Sequence, residues 1–136
     1  MTLAVIVSRG ETNTLVQVAT LLMAAVGSGG AVRVFFRDEA IFGITREGAK
    51  TVRFSSGYVG RETEVRGRLA QQGLDDVAAL FAQIKEVGDA KLWACSSSMA
   101  ICGARSEDLL PAIDGVRGLT AFLLEDVANA DHVLTF

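Results

Sequence analysis

The chain has 136 residues, 50% of them hydrophobic and 21% charged, with a formal net charge of −3. This length and balance suit one domain, 1–136, with a single core, and exclude a disordered or fibrous chain. An acidic balance with no basic stripe speaks against nucleic acid as a partner, and the longest apolar stretch, 15–26, is too short to cross a bilayer, so no membrane span is expected.

In chain order, Leu3 to Val7 reads as a strand that ends at the turn Ser8-Arg9-Gly10, after which Thr12 or Asn13 can cap a helix. Leu15, Val18, Leu22 and Val26 recur at helical spacing, and Gly27-Ser28-Gly29-Gly30 stops them. Ala31 to Phe36 is the next strand, so the opening is a β-α-β unit with a parallel crossover. Asp38 to Ile44 reads as a short helix. Residues 45–72 show no clear period and carry six basic side chains (Arg46, Lys50, Arg53, Arg61, Arg66, Arg68) against Glu47, Glu62 and Glu64. Such a segment in an acidic chain can steer anions. The plainer alternative is a solvated loop with some helix near Glu62 to Leu69.

Leu74, Val77, Ala78, Phe81 and Ile84 give a second amphipathic helix, and Ala90 to Ala94 a third strand. Ser106 to Leu110 looks like a capped short helix, Val116 to Leu119 a fourth strand, Ala121 to Asn129 the last helix and His132 to Phe136 a fifth strand. The sum is an α/β three-layer sandwich around a mainly parallel five-stranded sheet, of flavodoxin-related topology, with ligands expected at the strands' carboxyl ends. The positive mean hydropathy (+0.36) fits strands buried on both faces or a subunit interface.

Cys95 falls where the third strand ends and the helical stretch Met99-Ala100-Ile101-Cys102 is about to begin. A thiol at such a junction faces unpaired backbone N–H groups, which favour the nucleophilic thiolate. The alternative is a small buried strand residue. Cys95 and Cys102 have neither C-x-x-C nor zinc spacing, so no metal is expected. In one continuous helix they would stand roughly 10 Å apart along the axis, too far for a disulfide. Cys102 is then a second thiol nearby or core filling. Ser96, Ser97 or Ser98 can cap the helix and line the site. Ser8 sits where α/β proteins often bind phosphate, but no nucleotide motif surrounds it. No G-x-S-x-G elbow accompanies the serines, and the only histidine, His132, opens a strand far along the chain, which disfavours a hydrolase triad. Trp93, Phe35, Phe36, Tyr58 and Met99 read as packing residues. The N-terminal strand lacks a secretory leader's pattern, which points to the cytoplasm and to reduced thiols.

The string Leu92-Trp93-Ala94-Cys95-Ser96-Ser97-Ser98-Met99, followed by Gly103, resembles the cysteine motif of the DsrE/DsrF-like proteins, in particular the DsrE-like or peroxiredoxin-family branch. Leu3 to Ser8, Val32 to Phe36, Gly118 to Glu125 and Asp131 to Phe136 sit where that family has comparable segments. The resemblance implies a small cytoplasmic homo-oligomer, often a trimer or hexamer, that relays sulfur between donor and acceptor proteins. The family's cysteine falls on Cys95, which would carry sulfane sulfur as a persulfide with no metal or other cofactor. The position of Cys102 is often not cysteine in that branch. A C-x-x-C string is absent, which disfavours a dithiol redox role. Two other classes compete: a non-catalytic oligomeric ligand-binding or assembly module with Cys95 merely buried, and a nucleotide-binding flavodoxin-like domain.

Overall fold

In the computed structural model, which describes residues 1–136, every expected strand joins one sheet. β1 (Thr2–Val7), β2 (Ala31–Phe36), β3 (Ala90–Cys95), β4 (Gly115–Arg117) and β5 (His132–Thr135) are all parallel, in the order β4-β3-β2-β1-β5. The chain steps outward from β1 to β4, then crosses back to lay β5 on the free side of β1. This order is the chain's own variant of the doubly wound arrangement, distinct from the 2-1-3-4-5 order of flavodoxin.

Alternation along the strands divides the apolar residues between two layers. Leu3, Val5, Val7, Val32, Val34, Phe36, Leu92 and Ala94 face α1 (Thr12–Gly27) and α5 (Val77–Val87) in a core of 28 buried residues. The opposite face holds only four buried residues, Ala4, Phe35, Cys95 and Phe122, the last from α7 (Leu119–Glu125). Phe122 stacks on Phe35 with ring centroids 4.7 Å apart. One two-turn helix cannot cover a five-stranded sheet. Leu123 and Leu124 on α7 and Val133 and Leu134 on the edge strand β5 therefore remain exposed.

Several boundaries move for local reasons. Thr12 and Asn13 do not cap α1. Thr12 is already its first residue, and both side chains are engaged elsewhere: Arg53 N donates to Thr12 Oγ1 at 2.9 Å and Ser55 N to Asn13 Oδ1 at 2.9 Å. Asp38 to Ile44 shortens to α2 (Ala40–Gly43). The segment without a period contains α3 (Arg46–Lys50), a 3-10 turn at Ser56–Tyr58 and α4 (Glu62–Gln71). α4 has no apolar stripe to read because it buries nothing; acids in its first turn and the Glu64–Arg68 pair support it instead. The stretch at Ser106 is a 3-10 turn, Ser106–Asp108, and the last predicted helix is α7 followed by a second such turn, Val127–Asn129.

The loops at the carboxyl ends meet closely. A Cβ on Gly10 would stand 2.3 Å from the carbonyl oxygen of Glu39, so the turn after β1 touches the turn after β2 only because residue 10 is glycine.

Candidate thiol site

α6 (Ser96–Cys102) follows β3 without a loop, and Cys95 itself is the residue that enters it, in extended conformation. The three serines form the first turn and do not cap it, contrary to the expectation from their position. Gly103 closes the helix in the left-handed conformation, φ 66°.

Each serine has a different surrounding. Ser96 is exposed. The exposed Ser97 places its Oγ 3.2 Å from Cys95 Sγ. Ser98 is buried and accepts a hydrogen bond from Asp38 N at 2.8 Å, which ties α6 to the turn after β2. Asp38 is the one non-glycine residue with a positive φ, 49°. Cys102, one helical turn beyond Ser98, donates its thiol to the carbonyl of the same Asp38 at 3.6 Å. One strained residue is thus gripped from both ends of a single helical face. Sequence reading placed Asp38 only at the start of a short helix and missed its part in the site; it lies two residues after the end of β2.

The two thiols differ in charge as well as in place. Burial pushes the Cys95 thiol up, but the hydroxyls of Ser97 and Ser98 and their backbone amides outweigh it, so Cys95 ionises below an ordinary thiol. Cys102 is pushed the other way, by burial and then by the Asp38 carboxylate. Cys95 packs toward α7 with Ala4, Phe35 and Phe122, whereas Cys102 packs against the larger core and borders a groove with Phe42, Arg46 and Asp108. Neither is in a disulfide, and the fold does not bring them together.

Cys95 is 1% exposed. On its face of the sheet Trp93 lies two residues earlier, with the Arg117 guanidinium 5.1 Å from its ring centre. Arg117 also pairs with Asp126 and Glu125, and Asp126 approaches Arg33 of β2. This half-buried ionic chain, which anchors the end of α7 beside the thiol, was also missed; its outermost members, Arg33 and Asp126, are 93 positions apart. Trp93 Nε1 is the one buried side-chain polar atom without a partner.

The remaining expected site residues lie apart. Ser8, at the end of β1, donates its backbone N–H to the Phe136 carbonyl at 2.8 Å and is about 10 Å from β3 at the usual strand spacing. His132 stands at the amino end of the edge strand β5, level with Leu3, whereas the serines follow the carboxyl end of β3, three strands away. No group of His, Cys, Asp and Glu is arranged to hold a metal ion. The basic segment lies on the α1/α5 side; Arg46 shares a groove with Cys102 and none of its cations packs with Cys95.

Fold and site together define a small parallel α/β protein with one acidified thiol at a strand's carboxyl end. The chain belongs to the DsrE/DsrF-like family, whose model matches residues 1–136. Among solved structures it is similar in fold to MTH1491 from Methanobacterium thermoautotrophicum, a protein of unknown function, with a TM-score of 0.55 and 17% identity, covering 98% of this chain and 96% of that one. No curated protein matches. No helix is long and apolar enough to cross a membrane.

Proposed function

We propose that this protein carries sulfane sulfur on Cys95. The Cys95 thiolate attacks the outer sulfur of a donor persulfide, R–S–SH; the Cys95 S–S bond forms, the donor's S–S bond breaks and the donor leaves as its thiolate. An acceptor thiolate then attacks the outer sulfur of the Cys95 persulfide, and Cys95 departs as thiolate. A thiol of lowered pKa is a good leaving group in that second step. The observation that carries this reading is the Sγ–Oγ contact of 3.2 Å between Cys95 and Ser97 at the strand-to-helix junction, where the serine hydroxyl can donate to either the thiolate or the bound sulfur. Membership of a family associated with sulfur relay supports it. The donor is a protein or small-molecule persulfide and the acceptor a protein thiol, each reaching the carboxyl end of β3.

The burial of Cys95 favours a second reading, the assembly or ligand-binding module with an inert thiol. One experiment separates the two. After incubation with polysulfide, intact mass of native protein is expected to rise by about 32 Da, one sulfur atom, with the adduct on Cys95 and removed by dithiothreitol. No adduct on native protein, with alkylation of Cys95 only after denaturation, leaves the second reading.

Self-association belongs to both readings. The exposed apolar residues Leu123, Leu124, Val133 and Leu134 and the unpaired edge of β5 support a homo-oligomer, with trimer or hexamer as the family's expectation. Cytoplasmic location, with reduced thiols, is the setting this chemistry needs.

A further inference from the structure

Residues 45–76 leave the fold after α2 and rejoin it at α5, and none of them is buried. Their apolar side chains nevertheless converge. Val52 and Phe54 from the extended stretch and Leu69 from α4 are half-buried, and with the buried Leu110 they surround a cavity of about 590 Å³. A recess of about 170 Å³ continues it along Val52, Phe54 and Arg66. The arm is held over this space by hydrogen bonds: Thr12 N donates to Arg53 O at 2.7 Å, and Arg53 and Ser55 are fixed to Thr12 and Asn13 as described. These bonds keep the arm at a set height, so the cavity stays open instead of closing onto its own apolar floor.

The rim is cationic. Arg46, Lys50 and Arg66 line the cavity, and none of them forms a salt bridge. Arg46 makes one long hydrogen bond, 3.4 Å, to the Glu107 carbonyl. Two carboxylates, Asp75 and Asp76, also border the space, but Asp76 is engaged in capping α5 through the Ala79 amide at 3.0 Å. Three cations against two carboxylates leave the main cavity net positive, and the one carboxylate of the recess, Glu62, accepts from Gly60 N at 3.1 Å. Unpaired like charges around an apolar floor are a poor arrangement for an empty surface and a good one for an anion with an apolar body. The volume lies within the roughly 300–1,000 Å³ of small-molecule sites.

We propose that this cavity binds a small organic anion, with a carboxylate or phosphate head between Lys50 and Arg66 and an apolar body against Val52, Phe54, Leu69 and Leu110. The site lies on the α1/α5 side, with the sheet between it and Cys95, so binding there does not require the thiol. Head and body are both needed. The exposed cations alone hold an anion weakly in water, and an apolar molecule alone leaves the charges uncompensated.

The test uses anilinonaphthalene sulfonate, an anionic fluorophore with an apolar body, on the intact chain. It is expected to bind with one site per chain and to be displaced by decanoate, but not by equal concentrations of inorganic phosphate or decanol. Lys50→Glu/Arg66→Glu is expected to weaken binding about tenfold or more. Leu69→Glu, on the exposed helix α4, tests the apolar half and is expected to weaken it as well. Cys95→Ser is expected to leave it unchanged, which separates this site from the sulfur reading. Equal affinity in the charge-reversed and native proteins, or phosphate alone displacing the probe as well as decanoate, overturns the proposal.

Discussion

Two cysteines one short helix apart behave as an internal comparison. Cys95 ionises more readily than a free thiol and Cys102 less readily, because serine hydroxyls and amides outweigh burial at the first, whereas burial and then an aspartate carboxylate push up the second. The pH dependence of iodoacetamide labelling, read by peptide mass, is therefore expected to place the Cys95 midpoint below that of a free thiol and the Cys102 midpoint above it. Ser97→Ala should raise the Cys95 midpoint, and an unmoved midpoint would remove the hydroxyl from the argument. The sign for stability follows. A thiol whose folded pKa is depressed adds stability that is complete above its unfolded pKa and disappears as pH falls through the folded value. For Cys102 the contribution is complete below the unfolded pKa and fades as pH rises through the raised one. The junction that exposes Cys95 to these donors was legible, since an apolar strand running straight into serines leaves little choice. Which serine meets the sulfur was not legible, because that depends on Cys95, and not a serine, being the residue that enters α6.

Among the elements, α6 and α7 decide the state of the thiol. Ser98 holds α6 against the turn at Asp38 through a part-buried hydrogen bond, and Ser98→Ala is expected to cost about 1–2 kcal/mol in urea unfolding. α7 contributes one fully buried side chain, Phe122, to the cluster around Cys95, with the half-buried Leu119 packed beside it. Phe122→Ala should lose about 3–5 kcal/mol and, in the protein that remains folded, speed alkylation of Cys95 without speeding that of Cys102, which packs with the other core. Equal acceleration of both would mean global loosening and not removal of a lid. The central strands β1, β2 and β3 were readable because largely buried parallel strands are mostly apolar, and α1 and α5 because each presents a stripe to the larger core. α3 was not, and α4 was anticipated only as some helix near Glu62 to Leu69 within a solvated loop, for the converse reason: with no residue fully buried, their sequences carry no clear periodic trace of helix. The cavity beneath them was invisible for the same reason, although the surplus of positive charge that borders it was plain.

At the level of the whole molecule the two faces of the sheet are unequally dressed, 28 buried residues against four. Sedimentation velocity is expected to show an assembly larger than one chain, and Leu124→Asp, at a side chain 69% exposed in the isolated chain, to shift it toward monomer with unchanged circular dichroism. A native protein that sediments as one chain would assign those leucines to some other use. The strand order has a kinetic side as well. β1, the first of these five strands in chain order, sits between β2 and β5, and its pairing with β5 joins segments as far apart as Thr2 and Asp131, 129 positions along the chain. Such a contact is slow to form. During synthesis on the ribosome, one whole edge of β1 stays open until nearly every other element has emerged, so the most apolar strand of the protein is also the one longest at risk of pairing with a neighbouring nascent chain.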